Sequence, residues 1–142
     1  MRVHEVMIRD PQTVPPTTTV WTALALMRQA DIRHLPVVDA DGVLQGIVSN
    51  RDFRRLLGLL DPDGRIPHVR DITVAQIMTE AARVVTAQPE TPLLNIAQVM
   101  VLRKVGAVPI VDARDRVVGI VTQKDVLREL VRQLAPPPLN LG

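Results

Sequence analysis

Ile32–Phe53 reads IRHLPVVDADGVLQGIVSNRDF, and Val105–Val126 reads VGAVPIVDARDRVVGIVTQKDV. Aligned on Pro36 and Pro109, the two stretches lie 109 − 36 = 73 residues apart. The same offset pairs Val38 with Val111, Asp39 with Asp112, Gly46 with Gly119, Ile47 with Ile120, Val48 with Val121 and Asp52 with Asp125. Repetition at a fixed period outranks any local signal in deciding the fold. Each copy closes on a hydroxyl residue three positions before an aspartate, Ser49…Asp52 and Thr122…Asp125.

Outward from these stretches, each copy repeats one order of signals. Leu35–Val38 and Leu44–Val48 are apolar runs joined by Asp39-Ala40-Asp41-Gly42, and Val108–Val111 and Val117–Val121 flank Asp112-Ala113-Arg114-Asp115. Asp-Gly between apolar runs marks a hairpin. Runs this continuous belong to strands covered on both faces. Ahead of each hairpin, Val20, Ala23, Leu24 and Met27, and again Leu93, Ile96, Ala97 and Met100, follow the i, i+3, i+4, i+7 stripe of an amphipathic helix. Thr18 and Thr91 are the expected N-caps, with Pro92 at the first helical position. Behind each hairpin a second helix carries Phe53, Leu56, Leu57 and Leu60, or Val126, Leu127, Leu130, Val131 and Leu134, on its apolar face. Short extended pieces precede the first helices near Thr13-Val14 and Val84–Thr86. Val3–Ile8 and Thr73–Met78 read as matching lead-in helical turns, each with a Val/Ile-Met pair.

The expected class is therefore α+β, with two β-α-β-β-α repeats packed sheet against sheet about a pseudo-twofold axis and clefts where they meet. The boundaries read as residues 1–60 for the first repeat, 61–72 for the linker with its Asp61-Pro62-Asp63-Gly64 turn, 73–134 for the second repeat and 135–142 for a Pro-rich tail. A repeat of about 60 residues is small for a core of its own, which favours pairing.

Composition narrows the function. With no cysteine, disulfides and thiolate metal sites are excluded, and His4 and His68 stand isolated with no metal-ligand spacing. The N-terminus lacks a signal-peptide core and no apolar run could span a bilayer, so a cytoplasmic protein without a membrane partner is expected. The arginines are scattered, the net charge is only +2, and Trp21 and Phe53 are the only aromatics, which disfavours nucleic acid. No nucleophile, base and orienting partner converge, and no Gly-rich phosphate loop is present, so no catalytic residue is assigned and the protein is expected not to be an enzyme.

Ser49-x-x-Asp52 and Thr122-x-x-Asp125 stand where a strand turns into a helix. There the free backbone N–H groups and the helix dipole favour an anion, so a phosphate could bind with Ser49 or Thr122. An ionised aspartate one turn on is a pure acceptor suited to the two hydroxyls of a ribose. Arg51 and Lys124 lie between and add charge. The same spacing is also that of a capping box, which needs no ligand, and both readings stand.

Leu35-Pro36-Val37-Val38-Asp39 with Gly46-Ile47-Val48-Ser49-Asn50-Arg51-Asp52, and Val108-Pro109-Ile110-Val111-Asp112 with Gly119-Ile120-Val121-Thr122-Gln123-Lys124-Asp125, resemble the tandem cystathionine-β-synthase-type (CBS) domain pair, as do Val6-Met7 and Ile77-Met78. The resemblance covers nearly the whole chain outside linker and tail. It implies a regulatory module that binds AMP, ADP, ATP or S-adenosylmethionine in clefts between the repeats. A bound ligand would be transmitted as a conformational or assembly change. The resemblance further implies a homodimer of pairs and an unknown regulated protein, with no required cofactor. By the geometry of that family, the Asp52 cleft takes Ser49, Arg51, Arg33 and His34, with Thr91, Val105 and Gly106 from the other repeat. The Asp125 cleft takes Thr122 and Lys124, with Thr18, Val14 and Ile32. Ile47, Ile120, Val14 and Val85 are candidates to flank a purine, although core packing explains the two isoleucines as well. Arg33-His34 corresponds to uncharged Gly106-Ala107, so the Asp52 cleft is the expected phosphate site. The alternatives are a ligand-free dimerisation scaffold and the regulatory fragment of a larger enzyme or transporter. Met1 and the Pro-rich tail read as a small free-standing protein.

Overall fold

A computed structural model describes residues 1–58 and 71–137; Leu60, the Asp61–Gly64 turn, His68 and the tail beyond Pro137 lie outside the described residues. A 3-10 turn at Val3–Glu5 leads into β1 (Ile8–Arg9), followed by α1 (Val20–Ala30), β2 (His34–Val38), β3 (Leu44–Ser49) and α2 (Asn50–Gly58). The second half repeats the order. It has α3 (Val74–Ile77), β4 (Thr79–Glu80), a 3-10 turn at Ala81–Arg83, α4 (Leu93–Arg103), β5 (Ala107–Val111), β6 (Val117–Thr122) and α5 (Gln123–Leu134).

The first helices begin one residue later than the threonine spacing predicts. Thr19 caps α1, its hydroxyl accepting from Thr22 N at 3.2 Å, and Pro92 occupies the cap position of α4. Thr18 and Thr91 are instead fastening points, because their carbonyls accept from Val74 N and Val3 N at 2.8 Å each. Both helices end in a left-handed residue, Asp31 and Lys104, which stops the helix and turns the chain into the next strand.

Each half exchanges its lead-in with the other. The strand order is β2-β3-β4 in one sheet and β5-β6-β1 in the other, so β1 pairs with the second repeat and β4 with the first. The cores follow the same exchange. Val14, Val20, Ala23, Met27, Leu35, Val37, Val48 and Phe53 pack with Val74 of the second lead-in, with Ile77 and Met78 against them. Leu93, Ile96, Met100, Val108, Ile110 and Val121 pack with Val3, with Val6 and Met7 against them. Among the described residues, two buried clusters thus each borrow residues from the other half of the chain. The extended pieces reduce to single parallel bridges, Val14 to Val37 and Ala87 to Ile110.

The axis is visible in the backbone. Val43 and Arg116, equivalents under the 73-residue offset, form an antiparallel bridge, and Leu44 N donates to Asp115 O while Val117 N donates to Gly42 O, both at 3.0 Å. Equivalent residues can pair with exchanged bonds only across a local twofold.

Gly46 and Gly119 are needed where the lead-ins cross. A Cβ on Gly46 would stand 2.5 Å from Thr79 O and 2.6 Å from Met78 Sδ; on Gly119 it would stand 2.5 Å from Met7 Sδ and 3.2 Å from Ile8 O. The Val/Ile-Met pairs and the Gly-Ile-Val strands are therefore two sides of one contact.

The apolar face of the last helix is not buried as its pattern predicts. Leu127, Leu130, Val131 and Leu134 are between 49% and 74% exposed, and Leu57 of α2 is also exposed. Val126 is the apolar residue of α5 packed on the core. The helix turns Asp125 and Val126 inward and leaves the remaining stripe exposed.

Candidate nucleotide-binding site

Strand β3 passes into α2, and β6 into α5, with no intervening loop. Ser49 N and Ser49 Oγ donate to Asp52 Oδ2 at 2.8 and 3.2 Å. Thr122 N and Thr122 Oγ1 donate to Asp125 Oδ2 at 2.8 and 2.9 Å, and the threonine hydroxyl in turn accepts from Asp125 N at 3.4 Å. Both motifs are thus occupied as helix caps. In both, one carboxylate oxygen serves the cap. Asp52 Oδ1 lies outside its box, whereas Asp125 Oδ1 faces Arg128 Nη1 at 3.7 Å. Asp52 is half-buried and Asp125 buried at 7% exposure.

The start of each hairpin is tied to the start of its second helix. Asn50 N donates to Arg33 O at 2.9 Å, and Gln123 N donates to Gly106 O at 3.1 Å. These bonds set Arg33-His34 beside the Asp52 box and Gly106-Ala107 beside the Asp125 box. His34 stands directly across the β2–β3 ladder from Ser49. Its imidazole reaches the other half: a Cβ on Gly106 would meet His34 Nε2 at 3.1 Å. Burial pushes the His34 pKa below the ordinary imidazole value; Asp52 opposes that shift, and Arg33 and Arg51 reinforce it. Arg33 and Arg51 themselves are exposed. The geometry and the charges therefore gather Ser49, Asp52, Arg51, Arg33, His34 and Gly106 at one place on the seam.

The other expected residues are less uniformly placed. Lys124 is exposed on the first turn of α5 beside the Thr122 box. Val14 is fully in the first core, and its N–H and C=O are both bonded across the sheet to Pro36 O and Val38 N. Ile120 is buried between Pro109 and Ile8 in the ladder, whereas Ile47 is half-buried opposite Pro36 and Thr79. Ile32 and Val105 pack on the edges of their cores, as does Val85. Thr18 is half-buried, and Thr91 Oγ1 accepts from Gln88 N at 3.0 Å, closing its own turn. Arg128 escaped the sequence reading; its signal is its place one turn beyond Asp125 on a helix.

An open depression of about 450 Å³ lies among His4, Met7, Arg9, Asp10, Glu90 and Asp112, and none of the residues above lines it. Among the described residues no helix is long and apolar enough to cross a membrane.

The family model of the CBS domain matches residues 3–59 and 69–132. A CBS domain-containing protein of Dictyostelium discoideum is 33% identical over 142 residues, covering 96% of this chain and 95% of its own. Inosine-5′-monophosphate dehydrogenase of Mycobacterium tuberculosis is 34% identical over 129 residues, but the chain spans only 22% of that enzyme's length. Among solved structures, the CBS domain pair of protein MJ0100, in complex with 5′-methylthioadenosine and S-adenosylmethionine, has a TM-score of 0.81 at 29% identity, covering 94% of this chain and 98% of that one. CBSX2 in complex with AMP has a TM-score of 0.80 at 26% identity, covering 94% and 98%.

Proposed function

Because this chain belongs to the CBS domain family as a tandem pair, we propose that it is a non-catalytic regulatory module binding an adenine nucleotide or a related adenosyl ligand at the seam between its repeats. The observation that carries this reading is the clustering of Asp52, Ser49, Arg51, Arg33 and His34 at a helix N-terminus on that seam. A ribose would engage the Asp52 oxygen outside the cap, and a phosphate would take the α2 N-terminus with Ser49 and the flanking cations. The Asp125 side offers Thr122 and Lys124 and binds phosphate more weakly, because Gly106 and Ala107 add no charge and Arg128 already faces the carboxylate. A ligand touching both halves shifts their relative arrangement only by the difference in its affinity for the two states.

The test is a thermal-shift series with AMP, ADP, ATP and S-adenosylmethionine. A ligand at 100 times its Kd raises folded-state stability by about 2.7 kcal/mol. Asp52→Ala abolishes the AMP shift and Arg33→Ala weakens it at least threefold in Kd. A flat response to every ligand overturns the reading, and an unchanged AMP affinity in Arg33→Ala removes the phosphate role from that residue.

A second reading, a dimerising scaffold, is favoured by one observation. Leu94, Val101 and Leu102 of α4 join Leu127, Leu130, Val131 and Leu134 of α5 as exposed apolar residues. Such a face is rare on a monomer and fits a homodimer whether or not nucleotide binds. Leu130→Glu should convert a dimer to a monomer in light scattering. A wild-type chain that is already monomeric at micromolar concentration removes the dimer from both readings.

A further inference from the structure

Resting on the Asp52 cleft as a nucleotide site, we infer that His34 makes that cleft selective for phosphorylated ligands by taking up a proton as the phosphate enters. Its position is built from three sides. On the ladder it lies directly opposite Ser49, where side chains share one face with Cβ atoms about 4.5–5.5 Å apart. Across the seam it lies against Gly106, where any side chain would crowd Nε2 at 3.1 Å and Cε1 at 3.4 Å. From α2, Asp52 and Arg51 act on it, and Arg33 acts from the adjacent position. Ser49 of β3 and Gly106 of the second half bring no charge. The helix cap needs none of this, since Ser49 and Asp52 complete it between themselves.

In the empty protein the balance disfavours the protonated imidazole. Burial and the two arginines oppose a proton, and Asp52 alone favours one. A phosphate dianion at the N-terminus of α2 adds negative charge beside the ring and reverses that balance. Coupling of this kind is reciprocal: if phosphate favours the proton, the proton tightens the phosphate by the same factor. The affinity for AMP therefore rises as pH falls toward the ordinary imidazole pKa of about 6.5, by at most tenfold per pH unit. The second half has Ala107 opposite Thr122 and lacks the device.

The experiment is calorimetric titration of the full chain with AMP and with adenosine, at pH 6.5, 7.2 and 8.0, in phosphate-free buffers of different ionisation enthalpy. His34→Gln is run beside the wild type and its fold checked by melting. The AMP phosphate itself titrates near pH 6, so the reading is the difference between wild type and variant. AMP should take up a substantial fraction of one extra proton in the wild type and tighten about three- to tenfold more than in His34→Gln between pH 8.0 and 6.5. Adenosine should show neither effect. Equal proton counts in wild type and variant, or the same pH dependence for adenosine, overturn the inference while leaving nucleotide binding intact. Absence of any AMP binding at all three pH values overturns the nucleotide reading and this inference together.

Discussion

The two halves share a capping box, a hairpin and a borrowed lead-in, yet their seams differ in charge and access. The first half sets a half-buried carboxylate among Arg33, His34 and Arg51; the second buries its carboxylate under Arg128 beside Gly106 and Ala107. One backbone thus carries two chemical environments. Duplication preserves what the fold requires, namely the caps and the glycines under the crossing lead-ins. It leaves free the few positions at the start of each hairpin where a ligand would be chosen.

The largest effect falls where the halves depend on each other. Gly46→Ala must push against Thr79 O, which is backbone held in the ladder, whereas Gly119→Ala meets mainly the flexible Met7 side chain. Overpacking of this kind costs about 1–3 kcal/mol. Gly46→Ala should lie at or above the top of that range and Gly119→Ala near the bottom, as read by urea denaturation. Equal losses would mean that the two lead-ins are held with the same stiffness.

Next in size are the caps. Asp125→Ala removes a buried acceptor from Thr122 N and Thr122 Oγ1, and Asp52→Ala removes the corresponding acceptor at a half-buried site. Loss of an N-terminal cap costs about 0.5–2 kcal/mol. Asp125→Ala should be the more destabilising of the two without ligand, and Asp52→Ala the more damaging to AMP affinity. If one variant led in both measurements, the division between a structural and a binding aspartate would fail.

Much of this was legible from residues alone, and the exceptions share a cause. The repeat, the hairpins and the strand-to-helix boxes are local patterns, and the four hairpin strands fall within a residue of their expected limits; the short strands β1 and β4, at the ends of the lead-ins, were not expected. The exchange of lead-ins was not legible, because Val6-Met7 and Ile77-Met78 carry no mark of which sheet they join. The strand pairing reveals it, and the crowding at Gly46 and Gly119 shows where the lead-ins press on the sheets. The threonine caps missed by one residue because Thr18 and Thr91 serve the lead-ins through their carbonyls, a long-range demand. The stripe on α5 was read from period alone, and period cannot distinguish a face buried within the chain from one left outside it. In the site, Ser49 with Asp52 and Thr122 with Asp125 follow from spacing. The reach of His34 to Gly106 depends on side-chain geometry that no spacing encodes, whereas Arg128 is marked by its place three residues after Asp125 on a helix.

The smallest effect, and the most specific to one half, is the pH dependence of stability. The His34 pKa is lowered in the folded protein, chiefly by burial. The unfolded chain therefore binds more protons as pH falls below about 6.5, and folding loses free energy across that window until the folded imidazole also protonates. Carboxylates work in the same direction at lower pH: the backbone N–H of Arg116 holds the Asp112 pKa down, and the Arg132 guanidinium holds that of Glu129 down. Their stabilisation is present above the ordinary carboxylate range and lost beneath it, so the two windows separate. Melting temperature should fall modestly between pH 7 and 5.5 in the wild type and less in His34→Gln, while both fall together below about pH 4.5. A variant that tracks the wild type through the upper window would place the ring in water rather than against Gly106, and the asymmetry between the halves would then reduce to the arginines.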